Sequence, residues 1–271
     1  MKVLGIILIV VISLLIFEDI SKQQAFAKTT LEKSIDISLK LAVPEGLTFS
    51  PDGLKMYIPD NTGDLIEEYT LSAAWDVSSA THAGSDLAIA DARTDVPEDI
   101  AFNADGTKMY IVDRDGDAVL EYNLDPAYDV SEEAYQSSQD ADVSGQTGNP
   151  EDIFFSPDGL KMFILENDGA DSVLEYALGS AYDVSDETYT DAFAITGYSG
   201  SVDAMEFSSD GTKLFLAHDK GVSVYLLGTA WDVSTAVYSN LLDLTNFIGN
   251  PKGLAFSSDG TKMFITGTSR I

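Results

Sequence analysis

The 271-residue sequence contains no cysteine. That excludes disulfides, thiolate zinc sites, iron–sulfur clusters and cysteine nucleophiles together. Histidine is nearly as scarce: only His82 and His218 occur, and neither stands at metal-ligand spacing from a partner. Basic residues are few, 15 Lys and Arg against 45 Asp and Glu, for a net charge of −30. A surface of that sign repels phosphate backbones, so nucleic acid is excluded as a partner and cations or basic ligands are favoured. No Gly-x-Ser-x-Gly elbow, phosphate loop or dinucleotide fingerprint is present, which leaves little to support an enzyme.

Long apolar runs are limited to one. Lys2 is followed by the run Val3 to Phe17, then a polar stretch that ends in Ala25-Phe26-Ala27. This order predicts a signal peptide over 1–27, with a mature domain over 28–271 that is exported to the medium or the cell surface. The rival reading is an uncleaved N-terminal helix acting as an anchor, although the run is shorter than a full span and Glu18 and Asp19 follow it directly. Removing residues 1–27 leaves the net charge unchanged. No membrane span is expected after that removal.

What the chain has in abundance is itself. Phe49-Ser50-Pro51-Asp52-Gly53 returns at Phe102, Phe155, Phe207 and Phe256, each time with Asp-Gly at the fourth and fifth positions and a Lys two residues later. Trp75-Asp76-Val77-Ser78 returns in phase at Tyr128, Tyr182 and Trp231. The repeats start near residues 44, 97, 150, 202 and 251, so the unit is about fifty residues long. Within a unit, Pro97 to Phe102 and Lys108 to Val112 read as strands about a tight Asp-Gly turn; Val119 to Leu124 is a third strand and Ala134 to Asp142 a less regular fourth. Four short antiparallel strands per unit predict an all-β β-propeller of four-stranded blades.

The Phe-Ser-Pro-Asp-Gly-x-Lys-Met-Tyr/Phe core resembles the repeat of YVTN/lactonase-like, WD40-like propellers. The resemblance covers about residues 44 to 266 and implies the blade; sugar-lactone hydrolysis is one activity it implies, but no catalytic residue maps from it. The last repeat is incomplete, since no third strand or Asp-Val-Ser turn follows Lys262 to Ile265. Residues 34–42 are expected to add a fourth strand there. The expectation is therefore an open arc, or a fragment of a longer propeller, with self-association through the exposed edge.

In such propellers the first strands line the channel. This puts Glu45, Glu98, Glu151 and Asp203 on one rim, with Lys252 interrupting the series, and Asp99 and Asp152 one residue further on. Loops between second and third strands add acids to the same face, among them Asp113, Asp115 and Asp117 in a stretch faintly like a calcium loop. Hard carboxylate oxygens in a converging set suit Ca²⁺ or a basic ligand. The functional reading is a non-enzymatic binding or scaffold module with an acidic face for an unidentified protein or small molecule. The alternative is a lactonase-like or other metal-dependent hydrolase using the same carboxylates. The repeated turn Asp is read as structural, the aromatic before Asp-Val-Ser as an inter-blade contact, and His218 as a surface residue.

Overall fold

The computed structural model describes residues 8–13, 31–36, 43–84, 87–89, 96–131, 133–135, 139–167, 171–196 and 201–269. It is all-β, with helical structure among these residues confined to three 3-10 turns, Val77–Ser79, Val184–Asp186 and Val233–Thr235. Five antiparallel sheets follow one another as blades of a propeller. Blade one runs Thr48–Phe49, Lys55–Asp60, Leu65–Leu71 and Ala80–His82, and blade two Pro97–Phe102, Lys108–Asp113, Ala118–Leu124 and Glu133–Tyr135. In both, a short extra strand (Leu87–Ala88, Ala141–Asp142) completes the outer edge by pairing with the third. Blade three is Pro150–Phe155, Lys161–Glu166, Ser172–Leu178 and Glu187–Ala194; blade four is Val202–Phe207, Lys213–His218, Gly221–Leu227 and Ala236–Asp243. The fifth repeat supplies two strands, Ile248–Phe256 and Lys262–Ser269.

The second strands show why the sequence reads as it does. Met56, Tyr57 and Ile58 are all buried, as are Met162, Phe163 and Ile164. A blade lies between two neighbours, so both faces of its strands are covered and the strand is continuously apolar rather than alternating. Five apolar clusters result, each spanning two adjacent blades. One of them joins Ala255 and Phe264 of blade five to Leu47, Met56, Ile58 and Tyr69 of blade one. The expected open arc is thereby corrected: the last blade packs on the first. Gly253 and Gly46 allow this seam its close approach, because a Cβ on Gly253 would lie 2.5 Å from the Gly46 carbonyl carbon.

The two sequence signatures turn out to be one device. In each Asp-Gly turn the carboxylate accepts from the backbone N–H two residues on, as Asp52 does from Leu54 at 3.0 Å and Asp259 from Thr261 at 3.0 Å. The following Gly takes φ near +68°, as at Gly53, Gly159 and Gly211. Across the blade, the Asp of Asp-Val-Ser caps a 3-10 turn, with Asp76 accepting from Ser78. The aromatic before it is held at positive φ, 59° at Trp75 and Tyr128, 60° at Tyr182 and 61° at Trp231. For a side chain this costs on the order of 1–2 kcal/mol each.

Two contacts offset that strain. The ring covers the turn glycine: a Cβ on Gly106 would meet the Tyr128 ring at 2.1 Å. The aromatic's carbonyl, turned outward, accepts from the preceding blade: from Tyr57 Oη to Tyr128 at 2.6 Å, from Tyr110 Oη to Tyr182 at 2.6 Å, and from Lys161 Nζ to Trp231 at 2.5 Å. Lys262 Nζ donates to the Trp75 carbonyl at 3.2 Å, so the seam between blades five and one carries the same fastening as those between blades one and two, two and three, and three and four.

The N-terminal run behaves unexpectedly. Leu8–Ser13 pairs antiparallel with Lys262–Ser269, and Leu31–Asp36 pairs outside it, giving the order 31–36, 8–13, 262–269, 248–256. The expected absence of a third strand in the last blade is corrected, since Leu8–Ser13 occupies that place. The expected fourth strand is found at Leu31–Asp36, which shares residues 34–36 with the expected stretch; residues 37–42 lie outside the described residues. The cleavage point after Ala27 lies outside the described residues. Among the described residues, no helix is long and apolar enough to cross a membrane.

Candidate functional site

The first strands line a central cavity of about 150 Å³, bounded by Leu47, Ile100, Ile153, Met205 and Leu254, one from each blade. The apolar residue at this step is preceded by a Gly, Asp, Asp, Ala and Gly around the ring, and before those stands the acidic rim: Glu45, Glu98, Glu151 and Asp203, with Lys252 in the fifth place. All four acids are buried. The structure brings them together. Lys252 does not interrupt the ring as expected but bridges it, its Nζ lying 2.9 Å from Glu45 Oε2 and 3.3 Å from Asp203 Oδ1. On the other side Arg114 reaches in from the loop after Lys108–Asp113, pairing closely with Glu98 and lying 3.8 Å from Glu151. Asn61 and Asn149 donate to Glu98 and Glu151, at 3.3 and 2.9 Å, and Ser201 to Asp203 at 3.1 Å.

Burial dominates the proton chemistry of this rim. Glu98, 1% exposed, is pushed up to about 8 by loss of water and by the neighbouring Glu151 and Glu45, against the pull of Arg114. Glu151 rises to about 7, again through burial, with Lys252 opposing. Glu45 also rises for want of solvent. Lys252 is held firmly protonated by Glu45 and Asp203. Glu98 and Glu151 are therefore poised between charged and neutral near physiological pH, in a rim laced with two cations, Lys252 and Arg114.

One step deeper, Asp99 and Asp152 do something other than wait for a ligand. Asp152 Oδ2 accepts from the Met205 N–H at 2.9 Å, and Asp99 Oδ2 from the Ile153 N–H at 3.4 Å, so each ties its own blade to the next. Gly46 makes room for Asp99, since a Cβ there would lie 2.0 Å from Asp99 Oδ1. Burial raises both, Asp99 to about 8. Glu206 joins them in lining the cavity and is likewise raised to about 8 by burial.

The calcium-loop likeness gains nothing from the fold. Asp113 is buried at the end of its strand, Asp115 is exposed at the tip of a turn, and Asp117 sits in the left-handed region at φ 49°. The side chain of that loop that reaches the rim is Arg114. Among the described residues, no three His, Asp or Glu side chains converge in a cluster able to hold a metal ion. His218 is corrected from surface to interior: it is 2% exposed, its Nε2 lies 2.8 Å from Ser223 Oγ, and its Nδ1 accepts from the Lys220 N–H. Burial lowers it to about 4, so it stays neutral.

Two participants escaped the sequence reading. Arg114 carried a signal, being the basic residue in an acidic loop that faces an acidic rim. Glu206 carried one too: a glutamate in a first-strand position where other blades have Thr48, Ala101, Phe154 and Ala255.

No protein-family model matches the chain, and no curated protein matches it significantly. Among solved structures it is similar to a hydrazine synthase from Kuenenia stuttgartiensis, with TM-score 0.51 and 19% identity over 82% of this chain and 54% of that one. It is also similar to a protein of unknown function from Desulfotomaculum acetoxidans, with TM-score 0.50 and 14% identity over 78% and 61% of the two chains. A Bacteroides fragilis protein assigned as a 6-phosphogluconolactonase matches at TM-score 0.48 and 18% identity over 77% and 55%. At such identities the likeness shows the fold alone. The chain spans 54% to 61% of the length of these three proteins.

Proposed function

We propose that this chain is a non-enzymatic binding module whose channel mouth takes a basic ligand, a guanidinium or ammonium group presented by a protein or small molecule. The observation that carries the reading is the rim itself: Lys252 and Arg114 each lie between two carboxylates, so the spacing of the ring suits cationic side chains. Glu98 Oε2 is buried and without a hydrogen-bond partner among the described residues, a polar atom whose bonding a ligand group entering the rim would complete. A strongly negative surface would draw such a ligand in.

Calcium is the poorer occupant of the same carboxylates. Lys252 and Arg114 would have to leave the gaps they fill, and Asp99 and Asp152 would have to release backbone N–H groups. The export part of the reading rests on the sequence of residues 2–27, the run that also holds the strand Leu8–Ser13.

Titration calorimetry with an arginine-rich peptide, a lysine-rich peptide and CaCl₂ tests the choice. Peptide binding that weakens with salt, and weakens about tenfold (about 1.4 kcal/mol) in Glu98→Gln or Glu151→Gln, is expected. No peptide binding at low salt overturns the proposal. Calcium binding that raises the melting temperature, reversed by chelator, would move the reading to a divalent cation. Turnover of a lactone or ester panel that disappears in Glu98→Ala would move it to a hydrolase.

A further inference from the structure

The fifth repeat itself ends at its second strand, and the partner of Lys262–Ser269 on the outer side comes from the apolar N-terminal run. We propose that the strands Leu8–Ser13 and Leu31–Asp36 are the third and fourth strands of the fifth repeat, displaced to the start of the chain, and that Leu8–Ser13 is the resident occupant of that edge. The register carries this. In blades one to four the repeated Lys of the second strand pairs with Thr70, Asn123, Ala177 and Leu226 of the third, and in every case the Asp of Asp-Val-Ser stands six residues further on, at Asp76, Asp129, Asp183 and Asp232. Lys262 pairs with Ser13, and six residues on the sequence reads Asp19-Ile20-Ser21.

The outer strand repeats the agreement. In blades two and four, Ala118 and Gly221 of the third strand pair with Asp142 and Asp243, each standing eight residues before the proline (Pro150, Pro251) that leads into the next first strand. Leu8, at the equivalent place, pairs with Asp36, and Pro44 lies eight residues on. Those aspartates begin Asp142-Val143-Ser144 and Asp243-Leu244-Thr245; the N-terminal one begins Asp36-Ile37-Ser38. Leu31–Asp36 also lies against the 3-10 turn Val77–Ser79 of blade one, as the outer strand Glu187–Ala194 of blade three lies against Val233–Thr235 of blade four. A one-residue slip would have put every one of these landmarks out of phase.

The segment therefore has two competing uses. A cut after Ala27 would remove Leu8–Ser13 and leave a row of unpaired backbone groups along Lys262–Ser269, which is the edge that other strands add to. The structure assigns the segment to the blade.

The absence of cysteine makes the test clean. Two double variants of the full chain, Ser13→Cys with Lys262→Cys and Ile12→Cys with Met263→Cys, place thiols at adjacent paired positions. Such pairs alternate in type along an antiparallel ladder, so one of them has the closer spacing. An intramolecular disulfide, mapped by peptide mass, is expected in at least one. It should not form in the out-of-register control Val10→Cys with Lys262→Cys. Absence of any in-register crosslink, equal crosslinking in the control, or disulfides between two chains would each overturn the proposal. A second measurement covers variants that fail to fold: the unmodified chain and one beginning at Lys28 are melted side by side. A fall of roughly 10 °C or more is expected without residues 1–27, and an unchanged midpoint would overturn the assignment.

Discussion

Replacing Lys252 by Met removes the charge at the centre of the rim while keeping most of the aliphatic stem. The lysine lies within ion-pair distance of Glu45 and Asp203, and its side chain is 20% exposed against 7% and 6% for its partners. Stripping one partner from a buried pair costs about 3–5 kcal/mol when the remaining charge has no escape. Here there is an escape, because a carboxyl can take up a proton. At pH 7 that uptake costs about 4 kcal/mol for a group with an ordinary pKa near 4.3, and at pH 5 only about 1 kcal/mol. Glu45 is already raised by burial, so it accepts the proton more readily than that limit implies. The expected loss is therefore about 3 kcal/mol at pH 7, shrinking to about 1 kcal/mol or less at pH 5. Urea unfolding followed by the fluorescence of Trp75 and Trp231, both packed at blade seams, reads it directly. A loss that is the same at both pH values, or none at pH 7, would refute the electrostatic account of the rim.

Two other outcomes follow from the same structure. Glu98 and Glu151 are raised in the fold to about 8 and about 7, so the folded protein binds more protons than the unfolded chain across the interval from the ordinary carboxyl pKa to those values. The stabilisation is complete below about pH 4 and is lost as pH climbs through 7 and 8, so urea midpoints should fall from pH 5 to pH 8, and Glu98→Gln should flatten the fall; midpoints that rise over that range would contradict it. Gly106→Ala meets both a left-handed backbone and the Tyr128 ring, whereas Gly260→Ala meets the same backbone at φ 67° with nothing within 4 Å. Calorimetric melts should show about 1 kcal/mol lost at Gly260 and about 3 kcal/mol at Gly106, and equal losses would mean that the ring contact does not matter.

Much of this molecule was legible before any coordinates. Phase-locked copies of Asp-Gly-x-Lys and Asp-Val-Ser announced the blade, because each motif is local: its carboxylate bonds a backbone N–H two residues away, and its glycine answers to the ring that covers it. The rim positions were legible for the same reason, being fixed by their place in the repeat. What the repeat could not convey was pairing between elements far apart in sequence. Lys252 read as an interruption because its two partners come from blades one and four. Arg114 was hidden among acids in a loop, and its reach depends on a long side chain. His218 looked exposed because its neighbours Asp219 and Lys220 are polar, yet it ends a second strand whose side chains are buried on both faces. The run 3–17 fits two patterns at once, since a short aliphatic stretch serves equally as a leader core or as a strand.

The buried aspartates give the ring a direction. Asp99 Oδ2 ties blade two to three and Asp152 Oδ2 ties three to four, while Gly46, Ala204 and Gly253 hold the corresponding places in the other blades. The units are alike in outline yet not interchangeable. A copy of blade three spliced in after itself would find its carboxyl and the receiving N–H already matched, whereas the same copy placed between blades four and five would meet Ala204, which offers its Ile153 N–H no carboxylate. Growth or recombination of this array by whole units should thus be tolerated along one arc of the circle and resisted along the rest.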